Sequence, residues 1–573
     1  MDRRYFFERN LLALSVSDPE LCSRLTMAET TRGRYKFLTA RSGAQVPALI
    51  DAAGAAHPLH SLVDPQKEGR RLVSTTADEG FLVFFGLGGG YHIEAALERK
   101  DIYRVLVVEY DLNGLAELLS SQEYIHIFND SRFRLLADVS PAALETYIPQ
   151  IYQPVLYGGI RVLPLRTRTG FDQARFNEAA DAFTRAIERV KGDYSVQAYF
   201  GKRWFSNIIR NLFWAEQEAP PIPPIRYAAI SAAGPSLDAQ LPELIRRRDS
   251  CYLIATDTSL PSLLSAGVEP DAVISIDCQH ISYYHFMGGL PGHIPLFLDL
   301  ASPPAVAACS KNLHFFSSGH PLTRYISRFW RSLPPVDTSG GNVTYAALSL
   351  ADILGAQQIE LYGADFSYPR GITYARGTYI YPYFDKRQNR FSPMESLFSD
   401  FLYRSPSLTR VGTGDSWYYE TKIMSRYREG LEEKAHTLGT VRAIPGMGPP
   451  LALEKKSNIP SVTGLLHFFS SGPLTMTAKD FLLEYQKKIG SLPSCRQGIP
   501  QLLEKLKEDE RLILATLLPI GAALKHRRPE LTGEAVLEEV QAFCTAEISR
   551  ILPSMAGKNQ NYDDMDVVPT ADR

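Results

Sequence analysis

Acidic side chains follow four apolar stretches in the middle of the chain, at the points where predicted strands end. They are Asp257, Asp277, Asp299 and Asp365, and Thr256 directly precedes the first of them. Parallel strands place their carboxyl ends at one edge of a sheet, so we expect these side chains to meet there. Four carboxylates at one edge repel one another, which favours a functional explanation over ordinary turn formation. Such an edge could hold a nucleotide ribose and phosphate, a divalent cation, or both.

A Gly-Pro-Ser turn before a predicted helix adds a place for an anion. Gly234 permits a tight turn, Pro235 suits a helix start, and Ser236 can cap the helix or offer its hydroxyl to a ligand. The free amides at such a start favour a phosphate. By itself the turn is better explained as an ordinary strand–helix loop, and the carboxylates that follow it shift the interpretation toward binding.

A second loop of this type precedes another predicted helix. The run Thr338-Ser339-Gly340 leads into a segment rich in Ala and Leu. Small hydroxyl and glycine residues let backbone amides approach an anion closely. A glycine-rich helix entry packed against the sheet is an equal alternative.

A glycine turn nearer the N-terminus predicts a possible second pocket. Gly86 and Gly88 match the first two glycines of the dinucleotide-binding pattern, but Tyr91 stands at the third position. Glu109 closes the next strand at roughly the spacing used for a ribose hydroxyl. The pattern is compatible with a nucleotide or an S-adenosyl group, and a Rossmann-like domain whose pocket is used only for packing is at least as good an interpretation.

Strand–helix alternation predicts an α/β protein with a Rossmann-like domain, a doubly wound central domain and a C-terminal helical module. The predicted segments are 1–65 (helix and β-meander), 66–218 (Rossmann-like domain with a helical extension), 219–226 (Pro-rich linker), 227–446 (central domain), 447–556 (helical module) and 557–573 (disordered tail). The predicted central strands are Tyr227–Ser231, Tyr252–Ala255, Ala272–Ile276, Leu296–Leu298, His314–Phe316 and Ile359–Tyr362.

Length and composition narrow the class of protein. The 573 residues exceed what one core holds, and the net charge of -2 gives no electrostatic footprint of nucleic-acid binding. Six cysteines without C-x-x-C spacing indicate reduced thiols and neither a disulfide framework nor a zinc site. No apolar run predicts a signal peptide or a membrane span. A soluble cytoplasmic protein is expected.

Several segments carry a resemblance to a known family. They are S-A-A-G-P-S-L-D, I-A-T-D-T-S-L, P-D-A-V-I-S-I-D, D-T-S-G-G-N-V and Y-G-A-D-F-S-Y-P-R-G-I-T-Y-A-R-G-T. In this order the chain resembles the motility-associated factor (Maf) flagellin glycosyltransferases, and F-G-L-G-G-G-Y-H is similar to that family's N-terminal signature. The resemblance covers most of the chain before the C-terminal helices.

The resemblance implies a central domain similar to bacterial sialyltransferases. Such an enzyme would transfer a nonulosonic acid of the sialic, pseudaminic or legionaminic type from a CMP donor to a Ser or Thr hydroxyl of flagellin. The residues that would bind the nucleotide are Gly234, Pro235, Ser236, Thr256, Asp257, Asp277, Thr338, Ser339, Gly340 and Asp365. The sequence leaves open whether Mg²⁺ takes part, which sugar is moved and what the oligomeric state is.

The same resemblance suggests catalytic residues. Tyr368, Tyr374 and Arg376, in a Tyr- and Arg-rich segment that would cover the donor, are expected to stabilise the departing CMP phosphate. His280, His320 or an edge carboxylate would act as the base. Tyr374 stands where related Maf sequences tend to have histidine, so the identity of the base is open.

Two other functions remain open at this stage. The central segment also resembles 6-hydroxymethylpterin diphosphokinase-like proteins, which transfer pyrophosphate from ATP and need magnesium, and an acidic edge suits Mg²⁺. Ala233 stands where the sialyltransferase pattern has asparagine, which removes one polar nucleotide contact. A non-catalytic flagellin-binding or assembly protein is therefore a third interpretation.

Overall fold

The computed structural model describes residues 3–28, 33–77, 79–413, 416–453, 469–493, 495 and 498–553. Within them the predicted α/β class is confirmed, with parallel four- and seven-stranded sheets and a helical C-terminal region. The predicted disordered tail, residues 557–573, lies outside the described residues.

The chain divides into two compact units. The first holds the described residues up to Gly201 and those of Ser491–Ala542, and the second holds Lys202–Gly490 and the described residues from Phe543 onward. The boundary lies within a 43-residue helix, Gln173–Ala215, and not at the Pro-rich segment. The C-terminal helices, which the sequence groups as one module, are shared between the two units.

The first unit begins with helices and a small antiparallel sheet of order β1-β2-β3. These elements are α1 (Arg3–Ser15), α2 (Pro19–Met27), β1 (Tyr35–Thr39), β2 (Gln45–Ile50), β3 (Ala56–Pro58) and α3 (Pro65–Val73). A parallel sheet of order β6-β5-β4-β7 follows. Its strands and helices are β4 (Phe81–Phe85), α4 (Tyr91–Leu97), β5 (Arg104–Glu109), α5 (Leu112–Ser121), α6 (Ile125–Phe128), β6 (Phe133–Ala137), α7 (Pro141–Ile151), α8 (Pro154–Tyr157), β7 (Ile160–Pro164), α9 (Arg166–Phe171) and α10 (Gln173–Ala215).

The second unit is built on a seven-stranded parallel sheet of order β12-β11-β10-β9-β8-β13-β17. Its elements up to β13 are β8 (Tyr227–Ser231), α11 (Ser236–Arg247), β9 (Tyr252–Thr256), α12 (Leu260–Ser265), β10 (Ala272–Ser275), β11 (Leu296–Asp299), α13 (Pro304–Ala307), β12 (Leu313–Phe316), α14 (Pro321–Phe329), α15 (Val343–Ile353) and β13 (Gln358–Tyr362). Short 3₁₀ turns occupy Arg248–Ser250 and His280–Phe286. All six predicted strands are present, with ends shifted by at most one residue.

The remaining elements follow β13 in the chain. They are β14 (Tyr368–Pro369), α16 (Ile380–Asp385), α17 (Met394–Tyr403), β15 (Thr409–Thr413), β16 (Ser416–Glu420), α18 (Lys422–His436), β17 (Thr440–Ala443), α19 (Ala478–Gly490), α20 (Ile499–Lys505), α21 (Glu508–Arg527) and α22 (Gly533–Ile551). Strands β14, β16 and β15 form a separate antiparallel sheet. The sequence pattern does not predict this sheet or β17.

The Pro-rich segment 219–226 is held in place within the second unit. Ile222 is buried and forms a bridge with Phe469, and the Ile225 amide donates to the Leu354 carbonyl at 2.8 Å. The segment therefore behaves as part of that unit.

A buried ion pair lies in the core of the first unit. Arg168 Nε lies 3.1 Å from Glu109 Oε2, and their side chains are 0% and 1% exposed. The Leu87 amide donates to the other oxygen of Glu109 at 2.6 Å, and Arg168 also pairs with Asp172. Because neither side chain is solvated, each charge is compensated by the other and by its hydrogen-bond partners.

We expect Arg168→Ala to lower the free energy of unfolding by about 3–5 kcal/mol, because it leaves a buried carboxylate unpaired. Urea unfolding measures this. The matched control Arg166→Ala removes an exposed side chain from the same helix and should change stability by less than about 0.5 kcal/mol. The double variant Glu109→Gln/Arg168→Met keeps the acceptor for Leu87 and should recover most of the loss. Equal stability of Arg168→Ala and its control would contradict this account.

Candidate functional site

The strand order of the second unit reverses between β8 and β13, which in parallel sheets opens a crevice at the carboxyl ends. Gly234 follows β8 at this point, and a Cβ there would lie 2.4 Å from Asp365 Oδ2 and 2.5 Å from the Gly363 carbonyl oxygen. Any side chain at Gly234 would therefore push these two loops apart. The glycine is required for the close approach of the two loops.

The carboxylate of Asp365 lies at the start of α11. The Ser236 amide donates to Asp365 Oδ2 at 2.8 Å, and the Ser236 hydroxyl donates to the other oxygen. The Gly448 amide donates to Asp365 Oδ1 at 3.1 Å, and the Met447 amide donates to Ser236 Oγ at 2.6 Å. Burial raises the pKa of Asp365, and the hydrogen bonds from Ser236 oppose this. A phosphate at the Ser236 amide would have to displace this carboxylate.

Two further carboxylates lie at the ends of β9 and β10. Asp257 is buried, and its Oδ2 accepts a hydrogen bond from Ser275 Oγ at 2.7 Å. Asp277 is half-buried, and its Oδ1 accepts from the Gln279 amide at 2.9 Å. Burial raises the pKa of Asp277, and repulsion from Asp257 adds to this. The two carboxylates are thus close enough to interact, as the sequence predicts.

A Tyr-rich segment is fixed beside this pair. The Ala375 amide donates to the Ala233 carbonyl at 3.0 Å, and Ser262 Oγ donates to the Arg376 carbonyl at 2.6 Å. The Tyr374 and Tyr379 rings lie 6.4 Å apart, centroid to centroid. These contacts hold the segment against the loop after β8 and against α12.

The phenols of this segment stay protonated at neutral pH. Burial raises the pKa of Tyr374 and of Tyr379, and the negative charge of Asp257 adds to both shifts. The guanidinium of Arg404 opposes both shifts, so its positive charge acts on the same cluster. Asp277 also acts on Tyr379. The Arg404 side chain is exposed and lies over the Phe401 ring, whose centroid is 6.0 Å from that of Tyr374. The two phenols, this cation and the two carboxylates therefore lie near one another at this edge of the sheet.

A buried histidine completes the cluster. His285 is 8% exposed, and its ring lies perpendicular to that of Tyr379 with 4.5 Å between centroids. Its Nδ1 is buried and has no hydrogen-bond partner among the described residues. Burial raises the pKa of Asp277, and His285 lies close enough to that carboxyl to oppose the shift. A polar ring atom without a partner beside an acidic residue is available to a ligand.

The second predicted phosphate loop reaches the same region through Tyr427. The Ser339 amide donates to Asp337 Oδ1 at 3.0 Å, and Ser339 Oγ lies 3.4 Å from the Tyr345 hydroxyl. A Cβ on Gly341 would lie 3.1 Å from the Tyr427 ring. Burial raises the pKa of Tyr427, and Asp277 adds to this shift. Tyr427 therefore lies between the loop and Asp277.

The other residues of the two predicted loops have local roles. Gly340 leaves room for the Tyr345 ring, since a Cβ on Gly340 would lie 2.2 Å from that ring. The Thr338 carbonyl accepts from the Gly341 amide at 2.9 Å. Pro235 directly precedes α11.

Tyr368 is buried in β14, close enough to Tyr374 to raise its pKa.

Several predicted site residues do not join the cluster. The Arg376 side chain is 89% exposed and lies 3.8 Å from Asp238. His280 is exposed and stacks on Tyr283, at the opposite end of the 3₁₀ turn from His285. His320 accepts from the Leu322 amide at 3.1 Å and caps α14. The structure gives these three side chains positions at the surface or at a helix start.

Two predicted edge residues are held by the backbone. Asp299 is buried, and its Oδ1 accepts from the Ala301 amide at 3.0 Å. Thr256 is buried, and its Oγ1 accepts from the Ser259 amide at 3.3 Å. Both shape the loops behind the cluster.

The sequence does not single out His285, Arg404 and Tyr427, which lie near the cluster in the structure. The density of tyrosine after Asp365 indicates a covering segment and includes Tyr379, but no local pattern connects Arg404 or Tyr427 with it. The position of His285 on the loop after Asp277, which also carries His280, could have indicated that it lies near the site.

The N-terminal glycine turn is filled by the protein itself. The Gly89 amide donates to His60 Nε2 at 2.9 Å, and a Cβ on Gly88 would lie 2.6 Å from the same atom. Gly86 is buried against Arg168, and Glu109 is engaged by that arginine. This packing favours the interpretation in which the turn serves the core of the first unit.

A cavity of about 520 Å³ lies beside Asp365. Asp365, Gln240, Arg442 and the apolar segment 443–451 line it. It includes none of Asp257, Asp277 and Tyr374.

No group of three His, Cys, Asp or Glu side chains among the described residues is placed to hold a metal ion. No helix there is long and apolar enough to cross a membrane.

Comparisons with known proteins agree with the resemblance expected from the sequence. Residues 206–371 match the family described as MptE-like, 6-hydroxymethylpterin diphosphokinase MptE-like. An uncharacterised protein of Treponema pallidum (strain Nichols) is 32% identical over 167 residues, which are 29% of this chain and 80% of the relative. A second from the same organism is 37% identical over 153 residues, 26% of this chain and 54% of the relative.

One solved structure matches the chain over nearly its whole length. The MAf glycosyltransferase from Magnetospirillum magneticum AMB-1 superposes with a TM-score of 0.57 and 14% identity, covering 96% of this chain and 95% of the other. The match shows a shared fold, and together with the MptE-like domain it confirms the expected resemblance.

The buried carboxyl of Asp299 predicts a pH-dependent stability. Burial raises its pKa to about 6 from 3.8, partly offset by its hydrogen bonds. The folded-state pKa lies above the unfolded value. The contribution of Asp299 to the free energy of unfolding is therefore fully retained below about pH 4 and is lost as the pH rises to about 6. A shift of about two units corresponds to about 3 kcal/mol.

We expect Asp299→Asn, which cannot ionise, to gain about 3 kcal/mol relative to the native chain between pH 4 and pH 7.5. Urea unfolding at the two pH values measures the difference. Asp249→Asn, at an exposed position of the same unit, is the control and should show no such change. A difference between native and Asp299→Asn that is the same at both pH values would contradict the assignment.

Proposed function

We propose that this chain, which belongs to the same family as the Treponema pallidum relatives and carries an MptE-like domain, is a flagellin glycosyltransferase. It transfers a nonulosonic acid from a CMP donor to Ser or Thr hydroxyls of flagellin. The observation that carries the proposal is the cluster of Asp257, Asp277, Tyr374, Tyr379 and Arg404 at the carboxyl edge of the sheet. A chain with the fold of a glycosyltransferase would bind its donor there.

The cluster suits a sugar nucleotide chemically. The carboxylates of Asp257 and Asp277 accept hydrogen bonds from ribose hydroxyls. The protonated phenols of Tyr374 and Tyr379 donate to the phosphate, and Arg404 balances its charge as it departs. Phenols with raised pKa values remain donors throughout, which is what a leaving CMP requires.

His285 is the base in this proposal. Its Nδ1 takes the proton from the acceptor hydroxyl, whose oxygen forms a bond to the anomeric carbon. The bond from that carbon to the CMP phosphate oxygen breaks, and CMP leaves with the electron pair. The burial of His285, its Nδ1 without a described partner and its interaction with Asp277 support this role.

Intact mass measurement of flagellin tests the function. Flagellin from cells that carry this gene should be heavier by whole nonulosonate units than flagellin from cells that lack it. Restoring the native gene should restore the mass, and Asp257→Asn should not, because it removes the charge at the centre of the cluster. Flagellin of equal mass in all strains would contradict the proposal.

The identity of the base is tested separately with purified protein. His285→Gln should lower kcat by about 100-fold or more and leave the KM for the donor little changed, since the base acts on the acceptor. His293→Gln, at an exposed histidine of the same unit that pairs with Glu269, is the matched control. Loss of transfer in His280→Gln and not in His285→Gln would overturn the assignment of the base and leave the function intact.

A pyrophosphokinase is the second candidate, favoured by the description of the matching family. Binding of CMP and of ATP with Mg²⁺ to the purified chain distinguishes the two. Tighter binding of CMP supports sugar transfer. Tighter binding of Mg²⁺–ATP, with release of AMP once 6-hydroxymethylpterin is added as the pyrophosphate acceptor, supports pyrophosphate transfer.

A further inference from the structure

A second polar cavity lies within the first unit, away from the glycine turn. It has a volume of about 140 Å³ and lies at the amino ends of β5 and β6, next to α20 and α21. Four arginines and two tyrosines form most of its wall: Arg104, Arg132, Arg134, Arg511, Tyr103 and Tyr157. The lining contains no carboxylate.

Only one of these arginines has a described carboxylate partner. Arg132 Nη2 lies 2.7 Å from Asp130 Oδ2. Arg134 donates to the Ser131 carbonyl at 3.0 Å, and Arg511 donates to the Leu503 carbonyl at 2.9 Å. Carbonyl oxygens satisfy hydrogen bonds but leave the positive charges uncompensated.

Arg104 adds a third such charge. It donates to the Ser131 carbonyl at 3.3 Å and to the Tyr157 hydroxyl at 3.4 Å, and it lies over the Tyr157 ring. Its Nε is buried and has no hydrogen-bond partner among the described residues. This N–H group is therefore a donor that the protein leaves unused.

The three guanidiniums repel one another. Burial lowers the pKa of Arg134, and the charges of Arg104 and Arg511 lower it further. Negative charges also lie near the cavity. Burial alone would raise the pKa of Asp130, and the charge of Arg104 is among the effects that lower it. Burial raises the pKa of Tyr103, and the charges of Glu534 and Asp101 add to that shift. A like-charged cluster of this kind costs free energy when empty, so an anion in the cavity would relieve it.

We propose that this cavity binds a phosphate group. Guanidinium groups match phosphate geometry with paired donors, and the two tyrosine hydroxyls add neutral polar groups. A volume of about 140 Å³ equals roughly five waters, enough for phosphate or pyrophosphate and less than the ~300 Å³ of a typical small-molecule site. The ligand is either a free inorganic anion or the phosphate end of a larger molecule.

Calorimetric titration of the full chain with inorganic phosphate, pyrophosphate and ribose 5-phosphate tests the proposal. At least one probe should bind, and Arg134→Gln should weaken its binding about tenfold or more. Arg41→Gln, at an exposed position of the same unit, is the matched control and should bind as the native chain does. Tighter binding of ribose 5-phosphate than of phosphate assigns the site to a phosphate monoester, and the reverse assigns it to the free anion.

Thermal unfolding separates loss of binding from loss of fold. Without an anion, Arg134→Gln should melt no lower than the native chain because it removes repulsion. Added pyrophosphate should raise the Tm of the native chain and of Arg41→Gln but not that of Arg134→Gln. Failure of every probe to bind, or equal binding by Arg134→Gln and the native chain, would overturn the proposal, and neither result bears on the flagellin assay.

Discussion

The Asp365 carboxylate connects three separate parts of the second unit. It accepts hydrogen bonds from the first turn of α11 and from Gly448, and it belongs to the loop that follows β13. The Gly234 backbone fits beside it only because no side chain is present. Since these parts meet where the strand order reverses, this one buried acid sets the position of the loops around the candidate site. The helix start that the sequence offers to a phosphate is already satisfied from within the protein.

The balance of charge gives the candidate site its chemical character. Two carboxylates lie at the ends of neighbouring strands, and Arg404 is the cation that acts on the tyrosines above them. Proteins hold such groups together when a ligand makes use of them, because the uncompensated arrangement is costly. The arginine-lined cavity of the first unit also holds like charges together, and there the charges are positive. Each unit thus keeps a polar cluster that its own fold leaves only partly neutralised.

Much of this architecture could be predicted from the sequence. Continuous apolar runs indicate buried parallel strands, and the acidic residues that follow them lie at or just beyond the carboxyl ends of those strands. The exposure of the Arg376 side chain could not be predicted, because a residue in an irregular segment can turn its side chain outward without any change in pattern. His285, Arg404 and Tyr427 come from three different segments, and only tertiary packing brings them together. Glu109 stands at the spacing of a ribose-binding carboxylate, but in the structure it pairs with Arg168. This pairing also depends on tertiary packing, which the sequence pattern does not show.

The pairing of β8 with β13 also affects how the chain is made. Tyr227 lies beside Gln358 in the finished sheet, although four other strands of that sheet are synthesised in between. At ribosomal speeds of about 5–20 residues per second, the edge of β8 waits on the order of ten seconds for its neighbour. During that interval the edge of β8 that will face β13 has no partner, and such edges promote association between nascent chains. The edge of β8 is therefore open to association with other chains until residues 358–362 have been synthesised.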